Sequence, residues 1–180
     1  MRSQARYTYQ DYLTIPEDTS RRHEIVDGEL FVTPAPRARH QQVVTNLARI
    51  RGTLAVGHGL GEVFVGPITV HLHDEGVVEP DVLFVRGDRL GIVDPDGAVN
   101  GPPDLVVEVL SASNRSYDRT IKRKLYMENG VAELWIIDAN ERTVEIWTPQ
   151  AEQPRTVRDR LVWSASGHDF DIRLDEVFRS

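Results

Sequence analysis

A short apolar run in the second half of the chain, residues 105–110, places the strongest constraint on the fold. Every position in it except Glu108 is apolar, which is typical of a strand covered on both faces. A glutamate in such a strand loses its water, and an isolated buried carboxylate is very costly. Glu108 must therefore either pair with an arginine or face a metal ion or a reaction centre. The polar loop 111–116 and the cationic segment after it favour the second interpretation.

The segment that follows this strand carries Lys122 and Lys124, the only two lysines among the 21 basic residues of the chain. Lysine is a compact point charge whose pKa shifts readily, which distinguishes it from arginine. On a helix the two side chains point about 200° apart, on the two flanks of an apolar stripe through Ile121 and Leu125. Only one of them can therefore face a site. The alternative is that the two lysines lie close together by chance, in a chain that favours arginine.

Composition limits the class of protein. A chain of 180 residues with 40% hydrophobic and 27% charged residues predicts one globular domain, residues 1–180. Cysteine is absent, which excludes disulfides and thiolate metal sites. No apolar run predicts a membrane span or a signal peptide, so we expect a cytoplasmic protein. The net charge of −7 means that any nucleic-acid binding must use a local basic patch.

Patterning predicts an α/β (α+β) fold with a mixed central sheet, flanked by helices. Asp27-Gly28 between strand-forming residues is a strong hairpin signal, and Val43, Val44, Leu47, Ile50 and Leu54 form one helical apolar stripe. The expected elements are a hairpin at 24–32, a helix at 39–56, strands at 62–72 and 77–85, a loop at 87–103, the strand containing Glu108, the lysine helix, and a hairpin at 133–138 and 143–148. Strands followed by a crossover helix favour a mixed sheet.

Two carboxylates are expected to meet if the strand at 77–85 is a neighbour of the one at 105–110. Asp81 and Glu108 would then project toward one point and repel each other unless a cation lay between them. Mg²⁺ fits, because it needs only one or two carboxylates and keeps several waters. Asp104 is a poorer partner, since four residues along one strand separate it from Glu108 by roughly 13 Å.

Together these residues resemble a variant of the PD-(D/E)XK nuclease site, and more specifically the Uma-type family of bacterial endonucleases. The matching pieces are Glu24-Ile25-Val26-Asp27-Gly28-Glu29-Leu30, His40-Gln41, Glu79-Pro80-Asp81-Val82, Pro103-Asp104-Leu105-Val106-Val107-Glu108-Val109-Leu110-Ser111, the stretch 118–126, and Glu133-Leu134-Trp135-Ile136-Ile137-Asp138. The resemblance spans roughly residues 7–178 and implies a restriction-endonuclease-like core with an N-terminal β-hairpin extension.

The resemblance also implies a site and a reaction. Asp81 and Glu108 would bind Mg²⁺ or Mn²⁺, and we expect the Val109 carbonyl as a third ligand. Lys122 would be the catalytic lysine, with Glu24 and His40 as auxiliary residues. The superfamily usually places its lysine two residues after the glutamate, where this chain has Leu110, so the charge must come from the following helix. The reaction implied is metal-assisted hydrolysis of phosphodiester bonds, that of a metal-dependent endodeoxyribonuclease.

The expected nucleic-acid surface is the basic run on the lysine helix, with two more arginines near the N-terminus of the preceding helix. Its candidate residues are Arg115, Arg119, Arg123, Lys124, Arg37 and Arg39. A solvated basic face is the alternative interpretation of such a run. We also expect a homodimer, to match the two strands of a duplex, with the strand 143–148 and Trp147 as a candidate contact surface.

Two other functions are compatible with these residues. The chain could be a non-catalytic nuclease-fold scaffold that binds nucleic acid or a protein partner. It could also be a metal-dependent hydrolase of small phosphoesters.

Overall fold

The computed structural model describes residues 6–16, 20–111 and 115–179, which form two larger sheets, a separate hairpin and several helices. The strands are β1 (Arg21–Val26), β2 (Glu29–Pro34), β3 (Gly61–Val65), β4 (Val70–His73), β5 (Gly76–Val78), β6 (Val82–Arg86), β7 (Val99–Asn100), β8 (Leu105–Val109), β9 (Glu133–Asp138), β10 (Thr143–Trp147), β11 (Arg155–Val157), β12 (Arg160–Ala165) and β13 (His168–Arg173). The α-helices are α1 (Tyr9–Tyr12), α2 (Ala38–Gly57), α3 (Arg115–Tyr117), α4 (Arg123–Glu128) and α5 (Leu174–Val177).

The central sheet has six strands in the order β11-β10-β9-β8-β6-β3. Its β8–β9 pair is parallel, and its other pairs are antiparallel. A parallel pair needs a crossover connection, and here the crossover contains the lysine-bearing helix. The prediction of a mixed sheet flanked by helices is therefore confirmed.

The N-terminal hairpin belongs to a second sheet of five strands, in the order β2-β1-β5-β4-β7. Asp27 and Gly28 connect β1 to β2 with φ angles of 51° and 75°. Two consecutive positive φ angles are those of a type I′ turn, whose twist matches that of the strands it joins. The hairpin extension predicted from Asp27-Gly28 is confirmed.

Two segments predicted as single strands each divide between the two sheets. Residues 62–72 divide into β3 and β4, and residues 77–85 into β5 and β6. A proline lies at each break, Pro67 in one and Pro80 in the other, and proline cannot donate to a strand ladder. The breaks are adjacent, because the Gly66 N–H donates to the Asp81 carbonyl at 2.9 Å. Glu79 and Asp81 therefore lie where the chain passes from one sheet to the other.

Apolar residues cover both faces of the central sheet. On one face, α2 packs through Val43 and Leu47 against a cluster that includes Val107 and Val109. On the other, Leu125 of α4 packs against a cluster that includes Val106. Side chains alternate along a strand, so Glu108 lies on the same face as Val106, the face that α4 covers.

Two further segments differ from the prediction. The expected loop 87–103 contains a 3₁₀ turn at Gly87–Ile92 and the short strand β7, which pairs in parallel with β4. The proposed dimer surface on β10 is wrong, because β9 and β11 flank that strand and Trp147 is only 8% exposed. No helix in the described ranges has the length and apolar character needed to cross a membrane.

Candidate active site

Asp81 and Glu108 lie side by side at the end of the β6–β8 ladder. Val82 pairs with Val107 in that antiparallel register, so the next step places Asp81 opposite Glu108. The Asp81 Oδ2 atom accepts a hydrogen bond from the Val109 N–H at 2.8 Å. Both carboxylates are almost fully buried, and both line a cavity of about 490 Å³.

Two cationic or ionisable side chains hold the Asp81 carboxylate. The Arg22 guanidinium of β1 donates to Oδ1 at 2.6 Å, and His40 Nε2 in the first turn of α2 lies 3.0 Å from Oδ2. Burial alone would raise the pKa of Asp81, but the hydrogen bond from His40 and the charge of Arg22 outweigh it and lower that pKa. Asp81 is therefore ionised. The Nδ1 atom of His40 is buried and has no hydrogen-bond partner in the described part of the chain.

Lys122 lines the cavity and lies between the carboxylates of Glu108 and Glu24. Its Nζ atom is 2.6 Å from Glu108 Oε1 and 2.7 Å from Glu24 Oε1. Lys124 points away, with a side chain that is 60% exposed and 3.9 Å from Glu128. Burial opposes the charge on Lys122, but Glu108 and Glu24 raise its pKa well above the ordinary value. Lys122 is therefore a buried cation that two carboxylates share.

A π-helical turn at Asp118–Lys122 connects α3 to α4. Such turns are rare and occur frequently at functional sites. The buried face of this segment runs through Asp118, Lys122 and Tyr126, whereas Ile121 is 41% exposed. The predicted apolar stripe is therefore wrong at Ile121, whereas Leu125 is buried as predicted. Asp118 and Lys122, which line the cavity, occupy another part of the buried face.

Glu24 connects the second sheet to this site. Besides the Lys122 ammonium, its Oε1 atom accepts the Glu79 backbone N–H at 3.0 Å. The Glu79 carboxylate in turn accepts a hydrogen bond from the Tyr12 hydroxyl at 2.8 Å. The hairpin extension and the Glu79-Pro80-Asp81 crossover thereby hold Glu24 against Lys122.

The buried charges of the site are unbalanced in favour of negative groups. Burial raises the pKa of Glu108 to about 8, although the charge of Lys122 lowers it. Burial likewise raises the pKa of Asp118 to about 6, again against Lys122. Burial therefore favours the neutral form of both carboxyl groups, although a buried lysine lies nearby.

The donor set suits a hard divalent cation. Carboxylate oxygens are ligands that Mg²⁺ prefers, and one or two carboxylates suffice because the ion keeps several waters. The described residues contain no cluster of three or more histidine, cysteine or acidic side chains arranged to hold a metal. Arg22, His40 and the Val109 N–H already contact Asp81, so a cation would share that carboxylate with them.

The predicted basic surface is not brought together. Arg115 pairs with Asp138 at 2.5 Å, Arg119 pairs with Glu145 at 2.8 Å, and Arg123 lies over the Trp147 ring at 4.6 Å. Acidic partners distant in sequence thus neutralise two of these cations. Only Arg37 and Arg39 of the six predicted contact residues line the cavity.

Sequence reasoning missed three residues of the site. Asp118 and Tyr126 follow a spacing of four through Lys122, and the Tyr126 hydroxyl donates to Glu108 Oε1 at 2.6 Å. That spacing is a signal that could have found them. Arg22 gave no comparable signal, because its contact with Asp81 depends on how the hairpin sheet joins the central sheet.

The fold is restriction-endonuclease-like. A crystal structure from Anabaena variabilis, described as a "putative nuclease belonging to DUF820", superimposes with a TM-score of 0.76. The match covers 95% of this chain and 97% of that one at 19% identity, which shows the shared fold.

The chain belongs to the Uma2 family, whose model, described as "Putative restriction endonuclease", matches residues 9–173. It is also similar to "Uncharacterized protein sll1609" of Synechocystis, with 28% identity over 120 residues. That alignment covers 66% of this chain and 67% of the relative. The predicted Uma-type resemblance and restriction-endonuclease-like core are confirmed.

Proposed function

We propose that this protein is a Mg²⁺-dependent endonuclease that hydrolyses phosphodiester bonds in DNA. The observation that carries the proposal is the position of Asp81 and Glu108: Asp81 immediately precedes β6, Glu108 lies on the adjacent strand β8, and both line one cavity. A buried lysine lies 2.6 Å from Glu108. Membership in a family described as restriction endonucleases supports the same reaction class.

Asp81 and Glu108 would hold the cation, with the Val109 carbonyl as the proposed third ligand. When bound, a divalent cation polarises a phosphoryl oxygen and lowers the pKa of a coordinated water. Asp81 is suited to this role because its lowered pKa keeps it charged. Glu108 must release its proton to take part, and its raised pKa makes cation affinity increase with pH up to about 8.

Lys122 would stabilise the negative charge that develops on the phosphate in the transition state. A fixed ammonium in a cavity with little water is worth more than one in bulk solvent. Glu24 would position Lys122, since it holds the Nζ atom at 2.7 Å, and the Tyr126 hydroxyl would orient Glu108. His40 would hold Asp81 in place through Nε2.

Incubation of the purified protein with plasmid DNA tests the proposal. We expect cleavage with Mg²⁺ or Mn²⁺, none with EDTA, and faster cleavage at pH 8 than at pH 6 because Glu108 must ionise. RNA and a small phosphodiester, tested in parallel, identify the substrate class. Cleavage that is unaffected by EDTA would contradict the proposed role of the cation.

A non-catalytic role in nucleic-acid binding is the second candidate. The observation that favours it is that Arg22 and His40 hold the two oxygens of Asp81. This alternative predicts binding of nucleic acid without cleavage under any metal condition.

We further propose a homodimer, since one copy per strand suits the cutting of a duplex. Sedimentation should then give a mass near twice that of one chain, and a mass near one chain at micromolar concentration would contradict it.

A further inference from the structure

A second cavity, of about 400 Å³, adjoins the proposed active site. Arg39, Ala139 and Asn140 line both cavities, so the two are direct neighbours, and together they are called the groove below. Three elements build the second cavity: the first turns of α2, the turn between β9 and β10, and the residues that follow α5.

The second cavity is lined by unpaired positive charge. Arg39, Arg142 and Arg179 are exposed and line it, and none of its described lining residues is acidic. Arg39 donates to the neutral Asn140 Oδ1 at 3.1 Å, and Arg142 lies over the Phe178 ring at 5.3 Å. None of the three pairs with a carboxylate in the described part of the chain. Arg115 and Arg119, by contrast, are already paired with acids.

The N-terminus of α2 adds to this positive potential. No side chain caps the helix at Arg37, and its first turn contains no acidic residue. The first backbone N–H groups of a helix lack internal partners, and the helix dipole favours an anion at that end. Ala38, Arg39 and Gln42 of this helix line the cavity.

Hydrogen bonds to the buried Asp138 side chain hold the turn between β9 and β10 in place. Asp138 is buried and accepts hydrogen bonds from the backbone N–H groups of Asn140 and Glu141 at 3.0 and 3.1 Å. Arg115 neutralises Asp138 through two contacts, at 2.5 and 3.0 Å. Arg142 follows with a φ of 54°. The predicted nucleic-acid contact Arg115 is thus placed to position this turn.

We propose that this groove, formed by Arg37, Arg39, Asn140, Arg142 and Arg179, binds the backbone phosphates of the nucleic-acid strand beside the phosphate that is cut. The proposal rests on the proposed nuclease function and deepens it. Arginine forks and helix N-termini are common phosphate ligands, and such contacts set the register of a strand without reading its sequence. An acidic chain would thereby bind a polyanion through one local basic groove.

The test measures fluorescence anisotropy of a labelled DNA duplex in EDTA, which prevents cleavage, over a range of salt concentrations. The variant is Arg142→Ala with Arg179→Ala. The loss of two phosphate contacts should weaken binding about tenfold per arginine and reduce the slope of log K against log salt by about 2. The matched control is Arg160→Ala with Arg173→Ala, which removes the same charge from exposed arginines that line neither cavity. The control should retain most of the wild-type affinity and slope.

A second variant separates charge from folding. Arg142→Lys with Arg179→Lys keeps both charges and should keep the salt slope, with at most a modest loss of affinity. Wild-type affinity in the alanine variant, or an equal loss in the control, would overturn the groove assignment. A loss caused instead by Lys124→Ala would place the strand on the outer helix face and would also overturn it.

The outcomes for the groove and for the nuclease are distinguishable. Full cleavage and full binding by the alanine variant would contradict the proposed role of the groove and leave the nuclease proposal intact. Weakened binding by that variant, with no cleavage by the wild type under any metal condition, would support the proposed role of the groove and contradict the nuclease proposal. A wild type that binds no nucleic acid would overturn the groove.

Discussion

Replacing Lys122 by methionine should lower the free energy of unfolding by about 3–5 kcal/mol at pH 8. Lys122 is a buried cation within 2.7 Å of both Glu24 and Glu108. Methionine fills similar space but leaves these carboxylates in a desolvated cavity without a counter-charge. Urea denaturation of the wild type and the variant at pH 8 measures the difference.

The expected loss is smaller at pH 5 than at pH 8. Burial raises the pKa of Glu108 in the folded protein to about 8, from an ordinary value of 4.5. The stability associated with the neutral form of this group is fully present below pH 4.5 and is lost as the pH rises through about 8. At pH 5 Glu108 is neutral, so Lys122 stabilises it less. At pH 8 Glu108 is partly ionised, and the Lys122 ammonium stabilises its charge.

Two variants serve as controls for this prediction. Lys124→Met removes an exposed lysine on the same helix and should change stability by no more than about 0.5 kcal/mol. Lys122→Met combined with Glu24→Gln removes one charge of each sign and should recover part of the loss. Equal stability of the Lys122 and Lys124 variants at pH 8 would contradict the assignment of Lys122 as a buried counter-ion.

Replacing Glu108 by glutamine should lower the cleavage rate by at least about 100-fold while leaving the metal-free protein folded. The amide keeps the shape of the side chain but cannot provide an anionic ligand. Since the pKa of Glu108 is about 8, the wild-type group is already mostly protonated at pH 7 without a cation. The melting temperature of the variant in EDTA should therefore equal or exceed that of the wild type.

The response to metal should separate the two proteins. A cation that binds the folded state at ten times its Kd stabilises it by about 1.4 kcal/mol, which raises the melting temperature by roughly 3–6 °C for a chain of this size. The wild type should show this rise with Mn²⁺, and the Glu108→Gln variant should lose most of it. Glu128→Gln, the same change at an exposed glutamate of α4, is the matched control and should cleave at the wild-type rate.

A different interpretation would follow if the Glu108→Gln variant were strongly destabilised in EDTA and the melting temperature of the wild type did not change with Mn²⁺. That result would show that the charge of Glu108 serves only to balance Lys122 and holds no cation. The catalytic proposal would then fail.

Much of the fold could be predicted from local pattern. The Asp27-Gly28 turn, the apolar stripe of α2 and the uniformly apolar strand around Glu108 each specify one element, because backbone geometry and burial act over a few residues. The two strands that divide between the sheets could not be predicted in the same way. Their β-forming residues run almost continuously, and only the position of the second sheet decides where each prolyl residue ends the pairing.

Part of the candidate site could likewise be predicted from the sequence, and part of it could not. Asp81 and Glu108 could be paired from the order of the strands, and Lys122 was selected over Lys124 by resemblance to a family. The contacts of Arg22 with Asp81 and of Arg115 with Asp138 join residues 59 and 23 positions apart. Whether an arginine is free to bind nucleic acid depends on such distant partners, which a run of basic residues in a sequence does not reveal.

Anomalous diffraction from crystals grown with Mn²⁺ would locate the cation itself. We expect an anomalous peak within coordination distance of carboxylate oxygens from both Asp81 and Glu108, with Lys122 still in the cavity and no such peak in crystals of the Glu108→Gln variant. A peak at other residues, or a peak that persists unchanged in that variant, would contradict the assignment of these two carboxylates as the metal ligands.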